Sequence, residues 1–538
     1  MYRKGLHVLV ALFLLMLVVQ CAKKGTPTGG PKDETPPVLV RAEPPNYTTN
    51  FNSKEIRIYF DEYIKLKDLT KNLIVSPPMK TPALITPMGG ASKYIDIEIQ
   101  DTLLPNTTYV FNFGESVVDN NEGNPFSFFK YVFSTGDYID SLTVTGVIRD
   151  ALLNKPDNYV TVMLYEADST YTDSLIYKEV PRYVTNTLDS TVVFELTNIK
   201  AGRYKLAALK DEASNYTFQP DKDKVAFYDG FIDVPTDSVY VLRLFNEELP
   251  AKAGRPKQAS AQRVAIPYIG NPDSIGVSLI SQKPEGFERF ISNVTTQDSL
   301  QYWYKPQVES DSLVFQFKTQ EIDTGYVRLR RSLKLDSLQV QQATSTLILE
   351  EPLRFNSTIP LVSVDTSKIS IRKKDSTFIE NFKVKLLPET LQMRMDFKTA
   401  ELENYEIVML PEALTDFYGT QTDTLRFRVN TKEYADYGDF SLTLQNAAPV
   451  QHIVQLVTEK GEVKREIIGE EGVTVFEFDR LEPGKYYARI IVDLNKNGRF
   501  DSGNYLDQKQ PEEVIYYPDL LDIRSNFSQN ETFFLTPE

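Results

Sequence analysis

Short alternations of apolar and polar residues, separated by Pro, Gly, Asn and Asp, run through most of the chain. KEIRIYF (54–60), KYIDIEI (93–99), TYVFNF (108–113) and FKYVFST (129–135) are examples. Side chains on a strand point to opposite faces in turn, so a period of two marks strands with one buried face. No segment beyond the first 35 residues sustains the 3.6-residue period of an amphipathic helix. Strands at this spacing predict an all-β chain of sandwiches. With 538 residues, domains of ordinary size number roughly three to five.

The start of the chain breaks the pattern. In MYRKGLHVLVALFLLMLVVQC, Arg3 and Lys4 precede an apolar run from Val8 to Val19, and the run stops at Gln20-Cys21. A span needs about 20 apolar residues, so a charged start with a shorter apolar core reads as a signal peptide over residues 1–20. Because the run ends on the chain's single cysteine, the segment resembles a bacterial lipobox. Gln20 stands where that motif has a small residue. The resemblance implies cleavage before Cys21, lipidation of Cys21, and stable anchoring to a membrane. The alternatives are a plain signal peptide or a single span. Residues 21–35, rich in Gly, Pro, Lys and Thr, read as a tether. Ala22 lacks the acidic character of an inner-membrane retention signal, which points to the outer membrane. With Lys23 and Lys24 beside the cysteine, the leaflet stays open.

TPPVLVRAEPPNYTTNFNSKEIRIYFDEYI, with a strand ending at Phe60-Asp61-Glu62, then VVDNNEGN and VFSTG, resembles a bacterial Ig-like domain of the S-layer type over residues 36–137. A repeat follows. FELTNIKAGRYKLAALKDEASNYTF (194–218) aligns without gaps to FEFDRLEPGKYYARIIVDLNKNGRF (476–500). Phe194, Gly202, Tyr204, Asp211 and Asn215 match Phe476, Gly484, Tyr486, Asp493 and Asn497. This unit resembles the transthyretin-like or carboxypeptidase-regulatory-like sandwich, and its duplication implies two copies, residues 138–250 and 436–538. A fainter echo of the Ig-like pattern, with Asp416 and Gly419 in place of Asp119 and Gly123, spans 345–433. Between the pairs, residues 255–344 form another β-module, entered through a linker, PAKAGRPKQASAQ. The expected architecture is therefore tandem Ig-like and transthyretin-like β-sandwiches after a lipidated tether.

Composition narrows the function. A formal charge of −15 leaves no basic stripe for phosphates, so nucleic acid is not an expected partner. One Cys excludes an intrachain disulfide, and His452 is the lone His outside the N-terminal segment, so Ser-His and Cys-His pairs lack members. Carboxylate catalysis is not excluded by 74 acidic residues, but no acid pair stands out.

One loop invites metal chemistry. DLNKNGRFD (493–501) places Asp493, Asn495, Asn497 and Asp501 at calcium-loop spacing, with Gly498 between them and the Arg499 carbonyl available. Position twelve is Asn504 rather than a bidentate Glu. The first repeat copy retains only Asp211 and Asn215 of this set. Two readings stand: a calcium site, the one cofactor candidate, or a polar turn closed by Asx hydrogen bonds.

A second recurring pattern is Asp-Ser/Thr followed by an aliphatic residue or Thr, with hydroxyls at Thr102, Ser141, Ser174, Ser190, Ser238, Ser274, Ser299, Ser312, Ser337, Ser376 and Thr424. It resembles the O-glycosylation acceptor of exported Bacteroidota proteins. A polar turn entering a strand also reads this way. In QYWYKP, Tyr302 and Tyr304 point opposite to Trp303, which favours packing over a flat sugar platform. The expected function is a non-catalytic outer-membrane lipoprotein that docks on an outer-membrane β-barrel or other envelope protein. The alternative is a glycan-binding or adhesion lipoprotein.

Overall fold

The computed structural model describes residues 33–187, 191–294 and 298–535. Strands dominate it. Among the described residues the only α-helix is Leu69–Asn72, and none is long and apolar enough to cross a membrane. The chain is all-β, built from tandem sandwiches, and divides into two compact units.

The first unit takes the described residues up to Ser141 with Asn198–Lys200. One sheet runs in the order Leu39–Glu43, Glu55–Leu66, Ser92–Glu98, Leu84–Thr86, with Val117–Asp119 paired to the far end of Glu55–Leu66. The other runs Ile74–Ser76, Thr108–Asn112, Lys130–Ser134. Alternation explains the core: Ile56, Ile58 and Phe60 point inward onto Ile95, Ile97, Phe111 and Phe133. The strand expected to end at Phe60-Asp61-Glu62 instead continues to Leu66. A register break between Tyr59 and Ile64 re-aims it towards Val117–Asp119.

The second unit holds the rest. Its first sandwich pairs Tyr183–Asn186, Thr161–Glu166, Gly202–Lys210 and Lys224–Phe227 in one sheet, with Ile232–Val234 on Gly202–Lys210. The opposing sheet is Val193–Ile199, Leu142–Asp150, Val239–Leu244. The C-terminal sandwich repeats this arrangement strand for strand. Val463–Ile468, Gln451–Val457, Gly484–Asp493 and Val514–Tyr516 form one sheet with Leu521–Ile523, and Val475–Leu481, Gly438–Gln445, Ser528–Phe534 form the other. In both copies the last strand lies parallel to the first, Val239–Leu244 on Leu142–Asp150 and Ser528–Phe534 on Gly438–Gln445.

Between them lie two more sandwiches. Residues 252–328 carry the sheets Lys252–Ala253, Arg263–Ile269, Ser299–Lys305, Glu288–Asn293 and Gly276–Leu279, Ser312–Lys318, Ile322–Arg328. The segment read as a linker is therefore largely paired: Lys252–Ala253 and Lys257–Ser260 both bond to Arg263–Ile269. Its Lys, Ala and Gly residues suggest linker composition, yet edge strands need few apolar side chains. The next sandwich repeats the pairing of residues 39–134. It also takes Val340–Gln342, placed in the preceding module by sequence, as an edge strand on Leu353–Ser357.

Candidate functional site

The strand Gly484–Asp493 delivers Asp493 to the end of its sheet, opposite Gln451. There the chain must turn, and it turns around carboxylates. Asp493 is fully buried; its Oδ1 accepts the Asn497 N–H (3.2 Å) and its Oδ2 the Gly498 N–H (2.8 Å). Gly498 has φ +73°, a conformation glycine adopts without strain. Asn497 Nδ2 donates to Asp501 Oδ1 (2.9 Å), the Asn495 amide donates to Asp501 Oδ2, and Arg499 Nε lies 3.5 Å from Asp501 Oδ1.

A third carboxylate completes the loop, and sequence reading missed it. Glu512 is buried, with Oε1 accepting the Leu494 N–H (3.1 Å) and Oε2 the Asp501 N–H (2.9 Å). Burial pushes its pKa up; the two backbone bonds oppose this, and Asp501 and Asp493 add repulsion. It stands eleven residues beyond Asp501, outside any loop spacing, and no local signal would have found it. The oxygens available to a cation are those of Asp493, Asn495, Asn497, Asp501 and Glu512, with the Arg499 carbonyl. In the geometry observed these carboxylates receive the loop's own N–H donors. Among the described residues no group of three or more His, Cys, Asp or Glu is placed to hold a metal ion.

The residues after the loop do more than return the chain. Residues 502–510 form a strap that enters the first sandwich of this unit. Tyr505 is buried among Met163, Tyr165, Leu209, Phe218, Phe227 and Phe245. Its ring meets Phe227 edge-on at 5.3 Å, and its backbone N–H donates to Glu247. Burial pushes the Tyr505 hydroxyl up to about 12. Lys205, itself buried, donates to Gln508 Oε1 (2.6 Å) and to the Tyr228 carbonyl (2.9 Å). Gln510 donates to the Phe227 carbonyl (3.0 Å) and Asp229 (2.8 Å). Gly503 sits so close to Phe245 that a Cβ would lie 2.6 Å from the ring. Behind the strap, Arg489 and Tyr516 both donate to the Leu152 carbonyl, at 3.0 and 2.8 Å.

Other sequence candidates fall elsewhere. Tyr302, Trp303 and Tyr304 are all fully buried, so none offers a face to a sugar. Tyr302 and Tyr304 enter the core of their own sandwich. Trp303 points the other way, donates to Ser292 Oγ (2.9 Å), and packs on Ile359, Leu391 and Phe417 of the next one. His452 is buried with Nδ1 unpartnered, and burial holds its pKa down, keeping it neutral. Of the hydroxyl candidates, Thr102, Ser141, Ser238, Ser274, Ser337, Ser376 and Thr424 are exposed, while Ser174, Ser299 and Ser312 are half-buried. Cys21 and Ser190 lie outside the described residues.

No curated protein matches the chain. Among solved structures, the surface layer protein SbsC (domains 1–6) is 12% identical, covering 91% of this chain and 67% of its own, with a TM-score of 0.15. Bacteroides ovatus SGBP-B of the mixed-linkage glucan utilization locus, in complex with a heptasaccharide, is 10% identical, covering 70% and 93%, at 0.18. BcpA, the major pilin subunit of Bacillus cereus, is 10% identical, covering 73% and 99%, at 0.14. Scores of this size carry no inference about function. The first sandwich is better placed: residues 33–135 match the bacterial Ig-like domain family.

Proposed function

We propose that the chain is a non-catalytic lipoprotein, anchored to the outer membrane through Cys21, that serves as a structural, protein-docking subunit of an envelope complex, with assembly or import machinery the class of destination. The strap is the observation that supports this most directly. A chain of independent beads needs no such plug, whereas burying Tyr505 in another module fixes two sandwiches to one another. Edges held at a fixed spacing suit a docking scaffold. Val463–Ile468, Ser528–Phe534 and Ile322–Arg328 each end a sheet, with backbone groups free for strand addition by a partner. The aromatic route to glycan binding loses its support with the burial of Trp303 and both flanking tyrosines.

The anchor has a direct test. Replacing Cys21 by Ser is expected to move the chain from the outer-membrane fraction to the soluble envelope fraction and to remove acyl mass. A Cys21→Ser chain still sedimenting with outer membranes would sink the lipid anchor. Glycosylation belongs to the same reading, at one or more of the seven exposed acceptor hydroxyls. An intact mass equal to the bare lipidated polypeptide would remove it.

A further inference from the structure

The two sheets of the sandwich spanning residues 340–431 differ in how their central cross-strand row is charged. On one sheet Glu406 stands directly across from Arg372 on one side and Arg428 on the other. It pairs with both, Arg428 at 3.5 Å. Opposite charges facing one another across strands stabilise a sheet and like charges destabilise it. The first sandwich of the chain follows the same rule, with Arg57 between Glu43 and Asp96.

The other sheet of the 340–431 sandwich breaks it. Its corresponding row reads Arg354, Arg394, Lys385, three exposed cations directly opposite on adjacent strands. Adjacent strands lie about 4.8 Å apart. Arg394 is held by Asp396, with Nε 3.0 Å from both oxygens and Nη2 2.8 Å from Oδ1. That bond draws Asp396 away from exposed Lys383, which faces it across the strands. The side chains of Arg354, Lys383 and Lys385 form no hydrogen bond or ion pair among the described residues. The neighbouring row, Gln341, Asn356 and Gln392, consists of amides. Glu350 and Glu351 line the pocket beside Lys383 and Asp396, but they pair with Arg480 and Arg465. In a chain of net charge −15, four cations sharing a sheet face with Asp396 alone mark a place where the missing negative charge comes from outside.

We propose that this face binds an acidic polysaccharide. Arg354, Lys383 and Lys385 pair with its carboxylates or sulfates, and the amide row hydrogen-bonds its hydroxyls. The face itself argues against other anionic occupants. A protein partner needs a desolvated aromatic or aliphatic centre, and a lipid surface needs an apolar wedge. Neither projects here, where Leu387 at the margin is the one apolar outward residue. The inference goes beyond the docking role and stands without it, because it rests on a sheet face rather than on an edge or the anchor.

The test uses the full chain in detergent at low and moderate salt. The probes are polygalacturonate, dextran sulfate, neutral dextran, and vesicles of phosphatidylcholine with phosphatidylglycerol. The variant Arg354→Gln/Lys383→Gln/Lys385→Gln changes only outward side chains. Arg426→Gln/Lys373→Gln/Lys374→Gln removes the same charge from the other side of the sandwich, and circular dichroism checks both folds. The expected result is saturable, salt-sensitive binding to polygalacturonate or dextran sulfate and none to neutral dextran. The first variant weakens it at least about tenfold, the second less than about twofold. Failure to bind either anionic polymer overturns the proposal. So does equal weakening by both variants, which would mean unspecific charge. Binding to the vesicles alone assigns the face to a lipid surface and overturns it as well.

Discussion

At the scale of single residues, the aspartates in matching positions of the two related sandwiches reveal most. Asp119 Oδ1 accepts N–H groups from Asn121 (2.8 Å), Glu122 (2.7 Å) and Gly123 (3.2 Å), and Oδ2 accepts Asn124 (2.6 Å). Burial raises its pKa, but these four bonds outweigh burial and hold it below the ordinary carboxylate range. Asp416 accepts the Tyr418 (2.9 Å) and Thr420 (2.8 Å) N–H groups on Oδ1, its Oδ2 is buried without a partner, and burial, outweighing the bonds from this turn, drives its pKa up. The two therefore differ in how much they lose on charge removal. A depressed carboxylate stabilises the fold above its unfolded pKa and loses that contribution as pH falls through the folded value. Asp119→Asn is expected to cost about 2 kcal/mol near neutrality, with the penalty vanishing in acid. Asp416→Asn, at a site that already disfavours the charge, costs less than about 1 kcal/mol. Hydrogen exchange of the Asn121–Asn124 and Tyr418–Thr420 amides reads both locally, and equal costs would refute the contrast. The Asp493 loop is a residue-scale question too. With its carboxylates already receiving N–H donors, calorimetry is expected to give a flat trace at millimolar Ca²⁺; saturable heat lost in Glu512→Gln would establish a calcium site instead.

Elements are where local pattern and tertiary structure part company. Strand positions were legible because alternation is a local property: the inward residues of KEIRIYF and KYIDIEI are the buried ones in the structure. The repeat was legible because Gly202 and Gly484 open equivalent strands, and both copies close their second sheet with a parallel strand. The strap was not legible. Nothing in SGNYLDQKQ (502–510) is periodic, and the partners of Tyr505 lie hundreds of residues away, at Phe227 and Met163. Glu512 escaped for the same reason, since a loop motif read at fixed spacing stops before it. The strap makes two predictions. Tyr505→Ala leaves a cavity in a packed core and is expected to cost about 3 kcal/mol, while opening residues 502–510 to limited proteolysis. Gly503→Ala, driven against Phe245, costs about 1–3 kcal/mol by overpacking and opens the same segment. Protease resistance unchanged in both would mean that the strap is not what holds these sandwiches together. Trp303→Ala, which empties the cluster with Ile359, Leu391 and Phe417, is expected to cost about 3–5 kcal/mol in the unfolding transition of the full chain.

For the molecule as a whole, sequence and structure agree on tandem all-β sandwiches. Charge patterning was visible only after folding, because Arg354, Arg394 and Lys385 come from three separate segments and meet only through register. The central claim, a docking subunit of an outer-membrane complex, is tested most directly by crosslinking in intact cells. The full-length chain is then purified by affinity and its crosslinked partners are quantified by mass spectrometry. The account predicts stoichiometric recovery of one outer-membrane β-barrel or envelope subunit, with crosslinks concentrated on the edge strands Val463–Ile468, Ser528–Phe534 or Ile322–Arg328. Recovery of the chain alone, with no reproducible partner, would contradict it.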